Sequence, residues 1–375
     1  MSLILVIDDD PIVQITLTKV LENEGYQVVV TGDGNAGMAL VQQLRPGLVI
    51  CDWLMPHING LEVCRRIKSE PSLSTIFFIF LTNLGSVADR VQALDAGADD
   101  FITKPVEQNE LTARVKAGLR LHQMSRDLQQ QKQMLEAELA EAADYVRSLL
   151  PPPMHEPLEI DSCFVPSRRL GGDCFDYYWL DPDYLAVYLL DTAGHGLSAT
   201  LPSISVFNML RSRALDTVSY YQPSDVLRAL NSTFQMTTQN SKYFTIWYGV
   251  YNRLNRQLIY SSAGHPPGVL LSATEVTMLQ TPSIPVGMFP DTNYTDSFFT
   301  IPEDSTLYLF SDGAYELPLA NGSMWQIEDF IELLKECDRN HRHDLNTVLS
   351  YLKKINAKDA FDDDLSILKI NFKST

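Results

Sequence analysis

The sequence predicts two unlike folded parts joined by one long helix: an α/β doubly wound parallel sheet first, then an α+β sandwich. Three observations predict this. Over residues 1–121, five short apolar runs alternate with amphipathic stretches, and strands apolar on both faces belong to parallel sheets covered by helices on either side. Residues 107–150 contain no proline, one glycine (Gly118) and no strand-like run. From residue 155 onward, strand-like runs alternate with turn residues, and a few longer helical patterns lie among them.

In the first part the apolar runs are 3–7, 28–30, 48–51, 76–81 and 101–103, with helical patterns at 12–24, 35–44, 59–69 and 87–96. In the long helix Leu121, Leu128, Leu135, Ala142 and Leu149 fall seven apart. The companion positions are Ser125, Lys132, Leu139 and Val146. Sustained seven-residue spacing predicts a coiled coil, with packing on its own domain as the alternative. The polar pair Ser125 and Lys132 weakens the seam, which suits a joint that switches. Pro151, Pro152 and Pro153 end the helix. Beyond them strands are expected at 185–190, 243–251, 257–262, 269–271, 306–310 and 365–370, and helices at 197–215, 223–239, 326–337 and 344–355. The stretch 282–305, rich in Pro, Thr and Asp, reads as loop. The division is therefore 1–121, a helical linker 122–152, and 153–375.

The bulk numbers exclude several classes. A formal net charge of −18 over 375 residues argues against nucleic acid, whose phosphates want a basic face, and against an anionic membrane surface. Five scattered cysteines without a C-x-x-C pair suit reduced thiols in a cytoplasm better than a disulfide framework or a zinc site. The opening MSLILVIDDD turns acidic at once and does not read as a signal peptide. The longest apolar run, 76–81, is too short to span a bilayer.

In a parallel sheet, sites form beyond the carboxyl ends of the strands. There the sequence places Asp8, Asp9 and Asp10, then Asp52, Thr82 and Lys104. Clustered carboxylates suit Mg²⁺, and a carboxylate accepts a phosphoryl group when a cation and a lysine neutralise the transferring oxygens. Any one such Asp is usually a helix cap, and Asp10 reads most simply that way. The set in this order resembles the receiver domain of two-component response regulators, with a flavodoxin-like sheet. LVIDDD, DWLMPHING (52–60), FLTN and FITKP carry the resemblance. It implies Asp52 as phosphoacceptor, with Asp8, Asp9 and Asp52 holding Mg²⁺. It implies Thr82 and Lys104 as phosphoryl contacts, Phe101 as the switching aromatic, and a sensor histidine kinase as partner.

The second part has its own acids: LGGD at 170–173 followed by Asp176, LDTAGHG at 190–196, FSDGAYE at 310–316 and DDDLS at 362–366. Each lies at the end of an apolar run beside glycine or a small residue, and glycine lets backbone approach a ligand closely. Acids converging from separate strand ends would hold two hard cations, able to activate water against a phosphoryl group. The four fragments resemble the PPM-type metal-dependent serine/threonine phosphatases in their SpoIIE-like branch. The resemblance implies Asp173, Asp191, the carbonyl of Thr192, Asp312 and Asp363 as ligands of two Mn²⁺ or Mg²⁺, with Asp191 and Asp173 catalytic. Asp363 and Asp364 remain interchangeable at this stage. SSAGHPPG (261–268) resembles a structural signature, so His265 reads as structural. Arg168 and Arg169 read as a surface pair, with phosphate binding as the alternative, and His341 and His343 as solvated.

Together these imply a regulated phosphatase. Its substrate, by resemblance, is a phosphorylated STAS-type anti-sigma-factor antagonist, and a homodimer would form through the linker helix. The rival reading is a non-catalytic adaptor with a phosphatase-like binding domain. A DNA-binding regulator fails for want of a basic recognition helix.

Overall fold

The computed structural model describes residues 2–82, 87–167, 170–236, 242–273, 275–339 and 344–373. Arg168, Arg169, His341 and His343 lie outside the described residues. The chain divides into two compact units, Met1–Ala137 and Glu138–Thr375.

The first unit runs β1 (Leu3–Ile7), α1 (Pro11–Asn23), β2 (Gln27–Thr31), α2 (Gly34–Leu44), β3 (Leu48–Asp52), α3 (Gly60–Ser69), β4 (Phe77–Thr82), α4 (Val87–Asp95) and β5 (Asp100–Thr103), then enters α5 (Gln108–Leu149). The strands pair in parallel in the order β2-β1-β3-β4-β5. Alternate residues of each strand feed opposite faces. Leu5, Ile7, Val49, Phe78 and Phe80 pack with Val41, Val63, Ile67 and Ala93 of α2, α3 and α4. Ile4, Val6, Ile50 and Ile79 pack with Leu17 and Leu21 of α1 and Leu111 and Val115 of α5. Helices start where short polar side chains cap them. Asp10 accepts from Ile12 N at 2.8 Å, Asp33 from Ala36 N at 2.9 Å and Asn59 from Glu62 N at 2.9 Å. Asp10 is thus a cap, as its position suggested.

The second unit runs β6 (Glu159–Val165), β7 (Cys174–Trp179), β8 (Tyr184–Thr192), α6 (Leu197–Arg211), α7 (Pro223–Thr233), β9 (Phe244–Asn252), β10 (Gln257–Ala263), β11 (Gly268–Leu271), β12 (Val276–Leu279), β13 (Ser297–Thr300), β14 (Ser305–Phe310), β15 (Leu317–Pro318), β16 (Met324–Trp325), α8 (Ile327–Arg339), α9 (Leu345–Ile355) and β17 (Leu365–Phe372). Two antiparallel sheets form, β13-β10-β9-β8-β7 and β12-β11-β14-β17-β6. Val187, Leu189 and Trp247 of the first sheet meet Leu307, Leu309 and Leu368 of the second and fill the space between them. Outside the first sheet, Tyr188, Leu190, Ile246 and Tyr248 pack against Val206 and Leu210 of α6 and Val226 and Leu230 of α7. Outside the second, Tyr308, Phe310 and Ile367 pack against Phe330 and Leu334 of α8 and Val348 and Leu352 of α9. The result is a four-layer α/β/β/α sandwich.

Several boundaries differ from the sequence reading. Ser297–Thr300 forms an edge strand paired with β10, inside the stretch expected to be loop. It is too short for its alternation to stand out. β6, β7 and β12 also went unread; β7 hides its strand pattern behind Asp176, which is fully buried. α6 stops at Arg211 and α7 at Thr233, each short of the expected end. Along α5, Leu121, Leu128 and Leu135 are exposed, whereas Leu149 packs on the core of the second unit.

Candidate functional site

The strand ends of the first unit form an acidic pocket. One carboxylate oxygen from each of Asp8, Asp9 and Asp52 lies within 4.8 Å of the others. Lys104, at the end of β5, reaches across: its Nζ donates to Asp8 Oδ2 at 2.8 Å and to Asp52 Oδ2 at 2.9 Å. Burial alone would lower the Lys104 pKa, but the two carboxylates outweigh it and raise it. Burial raises Asp8, with Lys104 opposing. Gly60 is required by close approach, because a Cβ there would stand 2.2 Å from the Asp52 carbonyl oxygen. Thr82 is buried at the end of β4, and Phe101 is half-buried in β5, where it pairs with Phe80. Asp8, Asp9, Asp52, Thr82 and Lys104 therefore lie at the carboxyl ends of the strands of one sheet, while Phe101 lies further back along β5.

The acids of the second unit gather where β7, β8, β14 and β17 begin or end. Asp173 is 3% exposed, and neither of its carboxylate oxygens has a hydrogen-bond partner among the described residues. Its pKa stands well above the ordinary value because of burial, then the charges of Asp191 and Asp364. The hydroxyls of Ser311 and Ser366 lie close enough to oppose that shift without making a hydrogen bond to it. Asp191 is raised to about 8, by burial first and then by Asp312, Asp363 and Asp364. Asp312 is raised to about 6 by burial and Asp363, and its Oδ1 is buried without a partner among the described residues. Carboxylates crowded in this way are relieved by divalent cations, and orphaned oxygens are free to ligate them. The donor set is all oxygen, which fits Mg²⁺ or Mn²⁺. No three of these acids meet the 4.8 Å spacing of the first pocket among the described residues.

Asp363 and Asp364 part company here. Asp364 is buried, and its carboxylate is engaged by the protein: Oδ1 accepts from Ser167 N at 2.8 Å and Ser167 Oγ at 3.0 Å, and Oδ2 accepts from Gly172 N at 2.5 Å. Asp363 is exposed, and its Oδ1 accepts the N–H of Asp364 at 2.8 Å. The glycines of the motifs make room for this. A Cβ on Gly171 would stand 2.6 Å from Asp364 Oδ2, one on Gly172 2.7 Å from the Thr192 carbonyl oxygen, and one on Gly313 2.2 Å from the Asp364 carbonyl oxygen. Asp176 has a different fate: Arg211 grips both its oxygens at 2.5 and 2.6 Å, tying β7 to the end of α6.

His265 is buried between β10 and β11, with Nδ1 2.9 Å from Thr245 Oγ1 and no partner for Nε2 among the described residues. Burial lowers its pKa to about 3. A histidine whose folded pKa is depressed binds its proton only in the unfolded chain, so stability is present above pH 6.5 and is lost as pH falls from 6.5 towards 3. The loss reaches about 2 kcal/mol by pH ~5. His265→Asn should shrink the drop in unfolding free energy between pH ~7 and pH ~5 by that amount in urea titrations. Parallel pH profiles for the two proteins would show that His265 does not carry it.

Sequence reading missed Thr200, Ser203 and the structural duty of Asp364. Nothing local marks them, since their partners lie 29, 31 and 192 residues away.

The chain thus pairs a parallel sheet that carries an acidic pocket at its strand ends with an α/β/β/α sandwich that carries a second acid cluster. The model of the response regulator receiver domain matches residues 4–116, and that of Stage II sporulation protein E (SpoIIE) matches residues 181–373. The chain belongs to the SpoIIE family and carries a receiver domain in front of the family's phosphatase-type domain. It is 42% identical over 120 residues to the DNA-binding dual master transcriptional regulator RpaA of Synechocystis sp., covering 32% of this chain and 50% of that one. It is 43% identical over 117 residues to the DNA-binding response regulator MtrA of Mycolicibacterium smegmatis, covering 31% and 50%. The chain thus spans about half the length of these curated relatives. The SiaA-PP2C domain of Pseudomonas aeruginosa shares the fold at a TM-score of 0.57 and 19% identity, covering 64% of this chain and 98% of that one. No helix among the described residues is long and apolar enough to cross a membrane.

Proposed function

We propose that the protein is a response regulator in which phosphorylation of Asp52 controls a metal-dependent phosphatase acting on phosphoserine or phosphothreonine of a protein. The observation that carries this reading is the buried carboxylate of Asp173, unpartnered among the described residues, beside Asp191 in the setting of the GGD, DTAGHG, SDG and DD motifs. Asp173, Asp191, the Thr192 carbonyl, Asp312 and Asp363 would hold two Mn²⁺ or Mg²⁺. The three hydrogen bonds that hold the Asp364 carboxylate, against one for Asp363, favour Asp363 as the ligand. Such ions supply Lewis-acid charge and an activated water for in-line attack at phosphorus. The chain's own part is to aim the ligands from rigid strand ends. In the receiver, Asp8, Asp9 and Asp52 would hold Mg²⁺, Thr82 and Lys104 would contact the phosphoryl group, and Phe101 would report it.

Residues 1–121 act as receiver, 122–152 as linker and 153–375 as phosphatase. A sensor histidine kinase supplies the phosphoryl group, and a phosphorylated STAS-type protein is the substrate. The exposed Leu121, Leu128 and Leu135 of α5 support pairing with a second copy. The setting is cytoplasmic. The test is Mn²⁺-dependent release of phosphate from a phosphoserine STAS protein by the full chain, with and without beryllofluoride. Turnover that beryllofluoride changes supports the reading, and the direction of change gives the sign of the switch. An inert protein that binds no Mn²⁺ leaves the adaptor reading instead, and a monomer in light scattering removes the dimer.

A further inference from the structure

The loop that presents Asp173 is gripped by a single helix. Gly196, at the N-terminus of α6, donates its N–H to the Leu170 carbonyl at 3.2 Å. Further along α6, Thr200 Oγ1 donates to the Gly171 carbonyl at 2.8 Å. Three residues later, Ser203 Oγ donates to the Gly172 carbonyl. Three successive carbonyls leading into Asp173 therefore each meet a donor from the first two turns of α6. Asp364 holds the same loop from the other side, through the Gly172 N–H.

Helical Ser and Thr commonly bond back to the carbonyl four residues earlier. Here those carbonyls, Gly196 for Thr200 and Ala199 for Ser203, both lie 3.0 Å away. The loop carbonyls are nearer, and a hydroxyl has one proton to give. Both side chains are buried, so water does not compete. Thr192 Oγ1 lies 2.8 Å from Ser203 Oγ. A continuous line of hydroxyls thus joins Thr192, whose carbonyl overlies Gly172, to the loop carrying Asp173.

We propose that Thr200 and Ser203 are positioning residues for cation binding: they seat the 170–172 loop on α6, so that the Asp173 carboxylate and the Thr192 carbonyl are presented together. This rests on the acid cluster being a metal centre, as proposed above.

Mn²⁺ binding to the full chain, measured by calorimetry, tests it. Asp52→Asn serves as the background, to weaken the receiver site. Ser203→Ala and the near-isosteric Thr200→Val should each bind Mn²⁺ about tenfold or more weakly, while Thr200→Ser, which keeps the hydroxyl, stays within about threefold. Ser262→Ala is the control for loss of a buried hydroxyl elsewhere, since Ser262 Oγ donates to the Thr281 carbonyl at 2.9 Å. It should lower the melting temperature and leave Mn²⁺ affinity in place. If Ser203→Ala and Thr200→Val melt lower but bind Mn²⁺ as the background protein does, the positioning role is overturned. If the background protein itself binds no Mn²⁺ in its second unit, the metal-centre reading falls, and this inference falls with it.

Discussion

Asp191→Asn should reduce Mn²⁺-dependent hydrolysis of a phosphoserine protein by about 10³-fold or more. Asp191 is the next-to-last residue of β8, opposite Thr245 of β9, so the exchange leaves the strand pairing in place and removes only charge and ligand strength. The carboxylate stands among Asp312, Asp363 and Asp364, and burial with their repulsion raises it to about 8. A group so disfavoured as an anion would be stabilised in that form by a divalent cation bound beside it. The measurement is steady-state phosphate release at saturating Mn²⁺, alongside circular dichroism to confirm folding. A folded variant that keeps turnover close to the wild-type rate would remove Asp191 from the centre of the reaction.

Asp52→Asn should abolish phosphorylation of the receiver. Acetyl phosphate would then leave no acid-stable, base-labile phosphate on the chain, and beryllofluoride would no longer change phosphatase turnover. The reason lies in the pocket: Lys104 is aimed at the Asp52 carboxylate from 2.9 Å, and Asp8 and Asp9 stand beside it. Asp10→Asn is the contrast. Asp10 caps α1, and Asn caps a helix about as well as Asp, so phosphorylation should survive. Labelling of Asp52→Asn at the wild-type level would move the acceptor elsewhere.

Much of the first unit was legible because its signals are local. Strands buried on both faces are apolar throughout, helices between them are amphipathic, and the chemistry falls at strand ends by the geometry of parallel sheets. The caps Asp10, Asp33 and Asn59 act within three residues of themselves. The second unit was harder to read. Its strands are short, some lie at sheet edges, and β7 carries a buried aspartate whose partner, Arg211, is 35 residues away.

By itself the sequence determined which residues carry charge, which segments must bury apolar faces, and that two groups of acids stand at the ends of strands. These follow from side-chain chemistry and the periods of helix and strand. Only the tertiary structure decided how the acids divide their work. Asp173 is left buried without a partner among the described residues, Asp176 is neutralised by Arg211, and Asp364 is buried and engaged by Ser167 and Gly172 while Asp363 is exposed. It also decided that α6 holds the loop before Asp173 through Thr200 and Ser203. The physical reason is common to all of these: a carboxylate or hydroxyl takes its role from the donors and charges around it, and the fold brings those from distant parts of the chain.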